Sequence, residues 1–105
     1  MHAAPPPERG SEIPPEHRAA LLPVAQRVFW WGHPEDWLDL PIRFAAQVMT
    51  FGDWDDTALV ARLLGEDLFR RVLENPPPGV FDERSWNFWH LRYKMTVPPL
   101  PTRTL

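Results

Sequence analysis

The sequence predicts an all-α protein, a compact bundle of about five short helices between Pro-rich disordered tails. Three observations carry this. Apolar residues recur three and four apart through the middle of the chain, the spacing of one helix face. No strand-like alternation persists anywhere. Most of the fourteen prolines in 105 residues gather at the two ends and in one internal break, leaving a foldable middle. One domain with a modest core is expected at this length. Residues 15–96 should form it, with a disordered tail over 1–14 and an extended Pro-rich tail over 97–105.

The elements follow in order. Residues 1–14 hold Pro5-Pro6-Pro7, Gly10 and Pro14 and have little to bury. Pro15 suits the first turn of a helix through Glu16 to Leu22. Pro23 then restarts or kinks it, and Val24 to Trp31 reads as a short apolar helix ending at Gly32. A connector follows from His33 to Leu40, with room for one helical turn. Pro41 opens a second helix to about Phe51. Gly52 closes it and Asp53 can cap a third, about Trp54 to Leu64. The polar strip of that third helix is narrow, mainly Asp55 and Arg62, which predicts a central position. Gly65 ends it. A fourth helix, about Glu66 to Glu74, should bury Leu68, Phe69, Val72 and Leu73. Asn75-Pro76-Pro77-Pro78-Gly79 breaks the chain, and Asp82 can cap a fifth helix, about Glu83 to Met95.

That fifth helix has two apolar faces. At about 100° per residue, Trp86, Trp89 and Tyr93 share one arc, and Phe88, Leu91 and Met95 share another on nearly the opposite side. A terminal helix in a small domain normally buries one face. Either it is inserted between neighbours with the Pro-rich tail folded over the rest, or one arc packs inward and the other docks on another protein. Trp86, Trp89 and Tyr93 are expected in the core. Phe88, Leu91 and Met95, with Arg84, Arg92 and Lys94, form the candidate partner-binding set. Aromatics, Met and Arg are the types enriched at interface hot spots.

Several functions find little support. There is no cysteine, so disulfides and thiol catalysis are excluded. No apolar run approaches the roughly 20 residues that span a bilayer, and no signal pattern opens the chain, so the cytoplasm is the expected location. Asp53, Asp55 and Asp56 alternate like cation ligands, but helix capping explains them and the further ligands of a Ca²⁺ loop are missing. His33 with Glu35 and Asp36 reads as a connector turn. His90 has no partner at zinc spacing, and Ser85 lacks the glycines of a nucleophile elbow. No enzyme, metal or cofactor is expected. Pro98-Pro99-Leu100-Pro101-Thr102-Arg103 fits a Pro-rich ligand with a basic end.

The order of elements carries a resemblance. Phe29-Trp30 precedes an acid- and Pro-containing connector. A helix ends in Gly52-Asp53, and the next closes at Leu64-Gly65. A short helix with Val72-Leu73, a loop and Trp86-Asn87-Phe88-Trp89 complete the series. Over roughly residues 24–95 the chain resembles small bacterial proteins encoded beside abortive-infection-type nucleotidyltransferase toxins and read as their antitoxins. It departs from them after the Phe-Trp pair, where Trp31 and Gly32 replace the usual acidic residue. The resemblance implies a non-catalytic module whose partner is a nucleotidyltransferase-like toxin. The alternative is a DNA-binding regulator, since the third and fourth helices joined at Gly65 resemble a helix-turn-helix. A net charge of −3 and the absence of a dense basic stripe predict weak DNA binding.

Overall fold

The computed structural model describes residues 13–101. Six helices and no strand occur among them: α1 Pro15–Val28, α2 Pro34–Trp37, α3 Pro41–Phe51, α4 Trp54–Leu64, α5 Glu66–Glu74 and α6 Glu83–Arg92. The fold is all-α, as the sequence predicts. The expected disordered tail falls mostly on residues outside the described range.

α1 is one continuous helix, although Pro23 lies inside it. The proline removes the N–H that would reach the Ala19 carbonyl. Both residues are exposed, so water can take that carbonyl and no break follows. The opposite face buries Leu21, Val24, Ala25 and Val28 at helical spacing. The helix stops at Val28, three residues before the expected Trp31, because Phe29 turns into extended backbone. Phe29 then inserts into the core and stacks on Trp37 of α2, centroids 4.4 Å apart. Arg18 of α1 holds the α2 turn by donating to the carbonyls of Glu35 and Leu38 and pairing with Asp39 at 2.9 Å.

α3 is the central helix. It packs against every other helix and buries Phe44, Ala45, Ala46, Gln47, Val48 and Met49 on consecutive positions, hence on all sides. This corrects the expectation that the Trp54–Leu64 helix is central. In α4 only Asp56, Thr57 and Val60 are buried. Narrowness of a polar strip does not reveal which helix its neighbours surround, whereas Ala45 and Ala46 let neighbouring backbones approach α3 closely. Gln47 donates to the Val28 carbonyl at 2.9 Å and so satisfies an orphan acceptor at the end of α1.

The α3–α4 turn is tightly built. A Cβ on Gly52 would lie 2.8 Å from the Val48 carbonyl, a backbone atom that cannot move aside cheaply. Asp53 and Asp56 form a capping box at the start of α4. Asp56 is buried and also pairs with Arg27 from the last turn of α1, whose guanidinium is held above its usual pKa by that hydrogen bond. Gly65 is the whole α4–α5 junction, at φ +88°, a left-handed value that favours glycine. α5 buries Leu68, Phe69, Val72 and Leu73, the four residues that its spacing predicts.

α6 ends at Arg92, not at Met95. Lys94 adopts φ +58°. Its N–H bonds to the Leu91 carbonyl at 3.1 Å and that of Met95 to the His90 carbonyl at 2.9 Å. This is a Schellman turn with lysine where glycine is usual. It sends the chain back over the helix. Val97 and Leu100 pack on the core, and the Trp86 indole N–H donates to the Pro98 carbonyl at 2.8 Å. Folded contacts thus continue past residue 96, and Ile13 is buried at the other end.

Candidate protein-binding surface

The tryptophans divide between core and surface. Trp86 and Trp89 are buried, as expected of their arc. Trp89 donates its indole N–H to the Met49 carbonyl of α3 at 2.8 Å, and its ring meets Phe69 of α5 edge-on. The inward face is wider than the sequence suggests, because His90 is buried beside them. Its Nδ1 lies 2.8 Å from the Trp86 carbonyl. A carbonyl only accepts, so Nδ1 carries a proton and donates. Tyr93 is half-buried; its hydroxyl donates to Glu66 of α5 at 3.0 Å. Burial, then the bond to Glu66, pushes the phenol pKa up to about 12.

The opposite arc of α6 faces outward. Phe88 is 40% and Leu91 68% exposed. Arg84 and Arg92, one turn to either side of Phe88, are exposed on the same stripe. Two members of the candidate set depart from it. Lys94 is exposed but lies beyond the helix, turned by its left-handed backbone, and Met95 is half-buried against the core. The helix that should have aligned them with Phe88 ends before they are reached.

The structure adds residues that the α6 pattern does not include. Trp54, 63% exposed on α4, meets Phe88 edge-on at 5.5 Å and Trp89 at 6.5 Å. Those rings roof one side of a cleft of about 500 Å³ between the α3–α4 turn and α6, with Asp53, Asp82 and Arg84 at its rim. Both carboxylates are engaged: Asp53 accepts from the Asp56 N–H at 2.8 Å and Asp82 from the Ser85 N–H at 2.7 Å. A second hollow continues along α4 on the far side of Trp54, reaching Ala58, Ala61, Arg92 and Tyr93. A second aromatic group lies at the other end of the α3–α4 turn, where Trp30, 71% exposed, meets Phe51 at 5.8 Å and Trp31 at 4.8 Å. Trp54 was legible in outline, since it sits about 120° from the buried Val60 on the helical wheel. Trp30 and Trp31 follow the end of α1, where no periodicity constrains them.

Two of the other candidate residues take structural roles. Asp53 and Asp56 are used by the capping box and Arg27. Among the described residues no group of three His, Cys, Asp or Glu side chains is placed to hold a metal, and no helix is long and apolar enough to cross a membrane. The α4–α5 junction is the single residue Gly65, shorter than the 3–4-residue turn of a helix-turn-helix. Comparison with family models, curated proteins and solved structures finds no match to this chain.

Proposed function

We propose that this chain is a non-catalytic protein-binding module of the bacterial cytoplasm that neutralises a nucleotidyltransferase-type toxin. The observation that carries the binding function is two groups of exposed apolar side chains, Trp30, Trp31 and Phe51 at one end of the α3–α4 turn and Trp54, Phe88 and Leu91 at the other. Exposed apolar patches mark interaction sites, and Trp and Arg are enriched among hot spots. The toxin as partner rests on the resemblance over residues 24–95. Neutralisation then proceeds by masking the toxin's catalytic pocket or by enabling its modification. Co-expression with the product of the adjacent gene tests it. A stable complex and rescue of growth are expected. Neither complex nor rescue would refute the toxin assignment.

A further inference from the structure

The segment that follows α6 has the form of a ligand. Val97, Pro98 and Leu100 each precede a proline, which restricts them to extended backbone, and each proline fixes its own φ. Residues 97–101 are therefore set up as a polyproline helix with three residues per turn. Their burial keeps that period: Val97 and Leu100 pack on the core, while Pro98 and Pro99 between them are exposed. A polyproline segment has no internal hydrogen bonds, so its carbonyls are free to accept, and the Trp86 indole N–H donates to that of Pro98 at 2.8 Å. Such a preformed strap loses little entropy on docking, whichever chain it belongs to.

The hinge that folds this strap back is short and strained. Lys94 holds φ +58°, a left-handed value that is costly for a residue with a Cβ. The sequence favours another course, since Phe88, Leu91 and Met95 keep the spacing of a helix that runs on to Met95. The backbone loses no hydrogen bond on that course. The Lys94 and Met95 N–H groups meet the Leu91 and His90 carbonyls in the turn, and in a continued helix they meet those of His90 and Leu91. A continued helix carries the strap away from its own Trp86 and leaves that site open to another strap.

We propose that two copies of this chain exchange straps, each seating its residues 97–101 on the Trp86 of the other while its own α6 continues to Met95. The strap keeps in the second copy each contact that it makes in its own, because the receiving surfaces are identical. The gain is two relieved left-handed residues, and short hinges under strain are the kind that invite such exchange. A short linker holds its segment at an effective concentration on the order of millimolar, which the second strap must match. Relief at both hinges lowers that requirement about thirtyfold, to roughly 0.1 mM or below.

Sedimentation equilibrium of the full chain tests this from about 5 µM to about 1 mM, a range that brackets the expected midpoint. The unsubstituted chain should be monomeric at the low end and dimeric toward the high end. Lys94→Gly takes the left-handed turn without strain and should weaken the dimer at least about thirtyfold. Leu100→Asp should abolish the dimer with an unchanged helical circular dichroism signal. Trp30→Ala and Trp54→Ala, on the exposed aromatic groups, should leave it intact. A chain that stays monomeric up to about 1 mM overturns the proposal. So does a dimer that Lys94→Gly leaves unweakened. A dimer dissolved by Trp30→Ala or Trp54→Ala also overturns it, since the exposed rings and not the straps would then join the copies. Should Leu100→Asp lose helical signal, the Lys94→Gly comparison decides, because that substitution acts at the hinge and leaves the strap and its site unaltered.

Discussion

Phe88 and Trp89 are adjacent in the sequence and opposite in role. Trp89 is 4% exposed, touches Phe69 and donates to the Met49 carbonyl; Phe88 is 40% exposed and meets Trp54 and Trp89 edge-on. Trp89→Ala should cost about 3–5 kcal/mol in urea unfolding, and Phe88→Ala about 1 kcal/mol or less. Comparable losses would mean that both arcs of α6 serve the core. Tyr93 offers a cleaner probe, being the only tyrosine. Its pKa is raised from near 10 to about 12 in the folded chain. The fold therefore favours the neutral phenol. Stability from this group is fully present below about pH 10 and is lost as pH rises toward 12. Ultraviolet titration should give a late phenolate transition, and Tyr93→Phe should remove that part of the alkaline destabilisation. A phenolate transition near the ordinary value would show that neither the burial of the ring nor the Glu66 contact persists in solution.

At the scale of elements, boundaries were legible where the sequence punctuates them locally. Pro41, Gly52-Asp53, Gly65 and Asn75-Pro76 delimit α3, α4 and α5 at the residues that capping and backbone preference dictate. The misjudged ends are those decided by tertiary contact. α1 yields at Phe29 because the ring has a place against Trp37, and α6 yields at Tyr93 because the chain returns to cover Trp86. The outward arc of α6 could be read from its wheel, and so could the outward position of Trp54, but their meeting could not, since the angle at which two helices dock is not encoded in either alone. The α6 terminus makes its own prediction. A left-handed conformation strains any residue with a Cβ, and glycine loses more entropy on folding. Lys94→Gly should therefore stabilise by about 0.5–1 kcal/mol and Lys94→Val should destabilise, both read from thermal unfolding. A destabilising glycine would mean that the lysine side chain contributes contacts of its own.

For the whole molecule, charge and shape bear on the rival reading as a DNA-binding regulator. Phosphate-driven binding needs several cations on one exposed arc. Arg84 and Arg92 share α6 with exposed apolar residues, and Arg70 leans over the Tyr93 ring at 5.1 Å while pairing with Asp67. With a net charge of −3, gel shifts with the DNA upstream of its own coding sequence should show weak binding at about 50 mM salt and none at about 200 mM. Tight, sequence-selective retention at the higher salt would make regulation the primary function.

The bond from the Trp86 indole to the Pro98 carbonyl also makes a clock. An indole proton held by a main-chain acceptor exchanges with solvent only when that acceptor departs. Its lifetime therefore times the lifting of Val97–Leu100 from the core, separately from unfolding of the bundle. In a nuclear magnetic resonance exchange experiment the Trp86 indole proton should outlast that of exposed Trp54 and vanish before that of Trp89, whose acceptor belongs to the central helix. Lys94→Val should shorten the Trp86 lifetime more than that of Trp89, because one backbone angle at residue 94 decides whether the last turn delivers the chain to its cover. Equal lifetimes for Trp86 and Trp89 would mean that this end of the chain opens only when everything does.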